Sequence, residues 1–517
     1  MSDFEEIKKY NLEECVVYFK ANLLQDEYLN NLKIMSLNGE IEKNKIRNMT
    51  WRIFLNVFSP EETISDWIET LTKQREEYKT KLKTLLKAQK LQGDPLGGGS
   101  NSNNEEWKKY YIEKDMKDLI ELDLKRTYQE LNLFHDKKII TMLSNILFIW
   151  SKENIDLGYK QGLNDLLSII LLAFYPFYFP NDTKNTKEDL IQFSSQFELA
   201  MKHSKDLYLF FNDENNFEAD LYFTFSNLMK RGMKDLYDLK ENVNKKIDYK
   251  KYELFENEWT KEQNEDFKNP LFTRCSLIIK EKLKMIDPLL FQHFLNIELN
   301  TGIVLQRWLK CIFCREYELN EIFTLWDAIF SNEDDNNYPL IFIDFLAIAM
   351  IINIRNDLFN GGQTECFALL FQYPHQDNIV QLIKISERIK NSIDLIKKKQ
   401  SVSINEIITG EKEEKNQNTN TKSIIKNFIS DENLKNIENT MKKGGEIITG
   451  ALNNIGGFFN KMQQKIVKKD DFSVNINNPH DANEKLNNLL KKYSGKMNHQ
   501  DLREFSSVIE YLKKNFE

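Results

Sequence analysis

The sequence predicts an all-α protein, and two observations carry that expectation. Apolar residues return every three or four positions over most of the chain. Glycine (18) and proline (9) together make only about 5% of the 517 residues, less than half the usual share, which favours long helices with few tight turns over an all-β or doubly wound fold. A hydrophobic fraction of 41% suffices for a real core, and the length allows two or three domains. The net charge of −8 gives no overall attraction to phosphates, so nucleic acid is not an expected partner.

Taken in order, residues 1–34 hold short amphipathic pieces such as LEECVVYFKANLL and read as an N-terminal helical extension. Residues 35–399 form the main helical domain, with a dense apolar periodicity from IRNMTWRIFLNVFS onward. Gly97 to Asn104 interrupt it as a flexible connector. No strand precedes that glycine run and no Lys-Ser or Lys-Thr follows, so it is not a phosphate loop. A charged, weakly periodic insertion falls at about 238–270. The runs beginning at Leu166 and Leu340 are too short to span a bilayer, which takes about twenty residues, and the second contains Asp344; both read as buried core helices. Residues 400–440 have the low hydrophobicity of a disordered linker.

The last segment, 441–517, reads as an amphipathic helical tail. Ile448, Leu452, Ile455, Phe459, Met462 and Ile466 line one helix face, and Lys442, Lys443, Lys461, Lys465, Lys468 and Lys469 flank it. Such a segment lies on an anionic membrane, docks in a partner's groove, packs back on its own domain or stays disordered.

Five scattered cysteines and an N-terminus, MSDFEEIKKY, without a basic start and apolar stretch point to a cytoplasmic protein. Cys311 and Cys314 have the spacing of a metal knuckle. No second pair or histidine lies nearby and their neighbours are apolar at helical spacing, so no metal site is expected.

Two short motifs interrupt the core-like pattern. In IELDLKRT, Ile120, Asp123 and Arg126 with Thr127 share a helix face. Taken alone this is a surface ion pair, worth well under about 1 kcal/mol. In YKQGLN, Tyr159, Gln161, Gly162 and Asn164 stand where a buried helix would carry more Leu and Ala. Together with Arg47 and Trp51 in IRNMTW and with Trp326 and Asp327 in LWD, the ordered series resembles the TBC-domain family of Rab GTPase-activating proteins, over about residues 35–395.

The resemblance implies a TBC-type helical domain that binds a GTP-loaded Rab GTPase. GTP and magnesium would belong to the Rab, leaving this chain no cofactor of its own. It implies that Arg126 is an arginine finger inserted in trans, and that Gln161 replaces the GTPase's own water-positioning glutamine. The chemistry suits both side chains. A guanidinium is always charged and donates two parallel hydrogen bonds to phosphate oxygens; a carboxamide accepts from water through oxygen and donates through nitrogen. Asp123 would orient the guanidinium, with Thr127 beside it, and Tyr159 and Gly162 would shape the turn that presents Gln161. Asn164 either caps the following helix or touches the GTPase.

Arg47, Trp51, Trp308, Trp326 and Asp327 read as mainly structural, with contact to the Rab a second possibility for Arg47. Further stretches resemble the branch of the family associated with late-endosomal Rab proteins and the retromer coat, which implies a location peripheral to endosomal membranes. The alternative is a scaffold that binds a Rab or retromer with little catalysis; the presence of both fingers argues against it. The sequence departs from the common pattern at Leu157 and in its long insertion before residue 270.

Overall fold

A computed structural model of the protein describes residues 10–411, apart from 26, 91–102, 180–206, 212, 238–269, 333–339, 377, 399 and 401. The charged insertion, the tail, most of the linker and most of the glycine connector lie outside the described residues. The fold is all-α, and among the described residues every regular element is a helix. None of those helices is long and apolar enough to cross a membrane.

The chain opens with α1 (Leu12–Leu23), α2 (Tyr28–Leu37), α3 (Arg47–Phe54) and α4 (Ile64–Lys90), then α5 (Asn103–Leu124), α6 (Lys137–Glu153), α7 (Leu163–Tyr178) and α8 (Phe217–Leu228). It continues through α9 (Pro270–Leu277), α10 (Pro288–Asn296), α11 (Gly302–Lys310), α12 (Leu319–Ser331) and α13 (Phe342–Asn353). The last described elements are α14 (Arg355–Asn360), α15 (Gln363–Phe371), α16 (Ile379–Lys397) and α17 (Ile404–Thr409). Described residues fall into two compact units, the first within 1–275, 302–344 and 373–383, the second within 276–301, 345–372 and 384–517.

The first unit is built around α3, whose eight residues are all buried. Trp51 sits 5.5 Å from Trp326, 5.3 Å from Phe330 and 6.1 Å from Phe174, joining α3 to α12 and α7. Such ring pairs add about 0.5–1.5 kcal/mol each beyond the area they bury. Two arginines of α3 share this interior and must be neutralised there. Arg47 donates to both oxygens of Asp327, at 3.0 and 3.2 Å from its Nε, and also meets Glu42; Trp51 Nε1 donates to Asp327 at 2.7 Å. Arg52 and Arg75 converge on Asp220, which also accepts from the Tyr178 hydroxyl at 2.5 Å. Helix α7 is the apolar run beginning at Leu166, and it is buried along most of its length. Asp344, inside the other run, accepts from Arg274 at 2.7 Å.

In the second unit α10 begins with Pro288 in its first turn and Asp287 at the N-cap, whose carboxylate accepts the Leu290 N–H at 3.0 Å. The same carboxylate accepts from Arg355 Nε at 2.5 Å, so one buried acid serves both helix start and ion pair.

Two expected boundaries move. Residue 35 does not end an extension, because α2 runs through it, with Leu32 and Ser36 buried. The turn after α2 is tight: Gly39 has φ +69°, and a Cβ there would meet Val380 at 2.9 Å. Nor does the linker begin at 400. Ser403 caps α17 by accepting the Glu406 N–H at 3.1 Å, the helix closes on left-handed Gly410, and Val402, Ile404 and Ile407 are buried. The polar composition that signals a linker starts only at GEKEEKN, after those apolar residues.

Candidate functional site

Arg126 and Thr127 do not sit on the helix that carries Ile120 and Asp123. Helix α5 ends at Leu124. The N–H groups of Arg126 and Thr127 then bond to the carbonyls of Asp123 and Leu124 at 3.0 and 3.2 Å, tightening the last turn. Tyr128 follows at φ 43°, turning the chain away. The Arg126 side chain is therefore released from the helix surface. It keeps 57% of its area open to solvent while one guanidinium nitrogen donates to Asp123 at 2.5 Å.

Gln161 is presented by the loop between α6 and α7. The Leu157 and Gly158 N–H groups fold back onto the Asn154 carbonyl at 3.0 and 2.8 Å. Gly158 and Gly162 take left-handed φ values of +64° and +104°, and Gly162 is the N-cap of α7. A Cβ on Gly162 would lie 2.9 Å from the Tyr237 hydroxyl, which itself donates to the Lys310 carbonyl at 2.8 Å. Gln161 is exposed, and its side chain makes no hydrogen bond to another described residue.

The two motifs are joined by buried polar side chains. The Tyr159 hydroxyl donates at 2.9 Å to Asp123 Oδ2, the oxygen opposite the one that accepts from Arg126. Asn164 donates to the Thr127 hydroxyl at 2.9 Å, while its oxygen accepts the Gly162 N–H at 3.0 Å and lies 3.2 Å from the Tyr159 hydroxyl. Thr127 in turn donates to the Asp123 carbonyl at 2.8 Å, so the network closes on itself. Burial, followed by the charge of Asp123, pushes the Tyr159 phenol above its usual range and keeps it a donor. Asp123 is thus not half of an exposed surface pair, the reading of its spacing taken alone, but a carboxylate only 3% exposed. Asn164 is buried as well; the N-cap position belongs to Gly162.

Arg47, Trp51, Trp308, Trp326 and Asp327 are all buried in the first unit, apart from these two loops in sequence; Arg47 and Trp51 bond to Asp327, and Trp326 Nε1 donates to the Ile312 carbonyl at 3.0 Å. Sequence reasoning passed over Asp165, whose oxygens accept from Asn164 at 2.9 Å and from Arg315 at 3.0 and 2.6 Å. Its only signal was an acid in the first turn of an apolar helix, where the backbone dipole favours one.

Cys311 and Cys314 depart from the expected helix face too. They lie in a turn after α11 with two consecutive left-handed residues, Ile312 at 44° and Phe313 at 59°, each costing roughly 1–2 kcal/mol. The turn brings both thiols to Asp165. Donation of its S–H toward Cys311, followed by burial, raises the Cys314 thiol well above its ordinary range.

The arrangement holds one charged and one amide side chain, both exposed, on loops joined by a shared buried polar frame. Comparison with known proteins agrees on the family. The Rab-GTPase-TBC domain model matches residues 44–258 and 252–359. The chain is 26% identical to TBC1 domain family member 5 of Homo sapiens over 70% of its own length and 43% of the relative's. It is 22% identical to TBC1 domain family member 5 homolog A of Dictyostelium discoideum, over 69% and 36%. It therefore spans less than half the length of these relatives. The Ypt/Rab-GAP domain of Gyp1p shares the fold at a TM-score of 0.50, with 19% identity over 74% of this chain and 99% of that one. With the family model covering more than half of its residues, the chain belongs to the Rab-GTPase-TBC domain family.

Proposed function

We propose that the chain is a GTPase-activating protein for a Rab-family GTPase, supplying Arg126 and Gln161 in trans to the partner's nucleotide pocket. The observation that supports this most directly is the pairing of two exposed side chains, Arg126 and Gln161, on loops joined through Asp123–Tyr159 and Thr127–Asn164. In GTP hydrolysis the transferring phosphoryl group spreads negative charge over its oxygens and the attacking water must be held in line. Arg126 stabilises the charge and Gln161 orients the water. Asp123 leaves the guanidinium only part of its rotational freedom, so less entropy is lost when it enters the partner.

An arginine finger is worth about 10³–10⁵ in rate, or roughly 4–7 kcal/mol of barrier. Stimulated GTP hydrolysis measured across a panel of GTP-loaded Rabs is expected to vanish for Arg126→Ala and Arg126→Lys and to fall steeply for Gln161→Ala, with circular dichroism unchanged. Full stimulation by Arg126→Ala on every Rab that responds to the parent chain overturns the role. A complex that tightens with GDP and a fluoride transition-state mimic separates a working activator from a scaffold. The family resemblance of the sequence motifs extends the reading to a late-endosomal Rab and to retromer as a partner, and the lysine-flanked apolar spacing within 441–517 extends it to membrane contact.

A further inference from the structure

We propose that Asp165, Cys311 and Cys314 form a binding site for a thiophilic divalent cation of the zinc class. The ligating atoms of all three lie within 4.8 Å of one another, and Cys311 Sγ is 3.9 Å from Asp165 Oδ2. Around a tetrahedral zinc with bonds of about 2.0–2.3 Å, neighbouring ligand atoms lie roughly 3.5–3.8 Å apart, so only a small contraction is needed. Asp165 and Cys311 are 146 positions apart, and the backbone is shaped to unite them. The Cys314 N–H closes on the Cys311 carbonyl at 3.0 Å across left-handed Ile312 and Phe313, which turns a two-residue spacing into a two-thiol claw.

The surroundings match those of a ligating carboxylate. Asn164 holds Asp165 Oδ1 and Arg315 holds Oδ2, the oxygen that faces Cys311, as groups around a metal ligand fix its orientation. Two thiolates, a carboxylate and the adjoining guanidinium balance the charge of a divalent ion, with two thiol protons released on binding. The cluster supplies three of four positions and leaves the last to water. Its place in the fold gives it a purpose: the ion would staple the turn after α11 to the first turn of α7, just past Gly162 and the loop that presents Gln161.

The test uses the full chain, reduced with a phosphine and stripped with chelator. Titration with cadmium is expected to produce a thiolate-to-metal ultraviolet band saturating at one ion per chain, and zinc is expected to raise the thermal midpoint by several degrees. Cys311→Ser and Cys314→Ser should each abolish the band and the shift, and Asp165→Asn should weaken affinity at least tenfold. Should a serine variant fail to fold, Cys15→Ser and Cys366→Ser serve as the complementary pair, since binding must survive them. No saturable band in the parent chain, or a band that persists without Cys311 and Cys314, overturns the site. Neither readout depends on GTP hydrolysis.

Discussion

Gly162 and Gly158 show how little of a loop's constraint lies in its residue type. Both are left-handed, but a Cβ on Gly158 meets nothing within 4 Å, whereas one on Gly162 strikes the Tyr237 hydroxyl. Gly158→Ala is expected to lose only the left-handed penalty, about 1–2 kcal/mol. Gly162→Ala adds a clash against a phenol already bonded to the Lys310 carbonyl, so its thermal midpoint should fall further and stimulated GTP hydrolysis should fall with it. Equal effects of the two substitutions in thermal melts would remove the packing argument. The sequence could mark both glycines as turn formers, yet not tell them apart, because Tyr237 is 75 positions downstream of one and reaches it only through the fold.

At the scale of elements, helix periodicity was easy to read and helix ends were not. The apolar runs that became α7 and α13 announced themselves by composition, since a continuous apolar stretch can only be buried. Arg126 kept the three-residue spacing from Asp123 that suggests one face, but it lies past the last turn of α5; spacing alone does not reveal where backbone bonding changes from four residues to three. Ion pairs across elements were equally hidden. Arg47 and Asp327 are 280 residues apart, and each looks ordinary in its own helix. Burial raises the Asp327 carboxyl while Arg47 opposes the rise, so the pair holds by mutual neutralisation. Asp327→Ala would leave Arg47 buried with only Glu42, and is expected to cost about 3–5 kcal/mol in denaturant unfolding. A loss below about 1 kcal/mol would mean that Glu42 and water suffice.

For the whole molecule, the match to the family model stops short of the folded unit at both ends. It covers residues 44–359, while the first unit also draws on α1, α2 and residues 373–383. Phe19 of α1 is fully buried, with its ring 5.7 Å from Phe210, and Gly39 lies against Val380. A fragment cut to 44–359 is therefore expected to aggregate or melt well below a fragment of 10–411, by differential scanning fluorimetry; equal midpoints would show that these pieces are dispensable. The interleaving has a consequence during synthesis. Because the stretch ending at Ile383 closes a unit that already includes α1, the last contacts of that unit cannot form until residues up to 383 have left the ribosome.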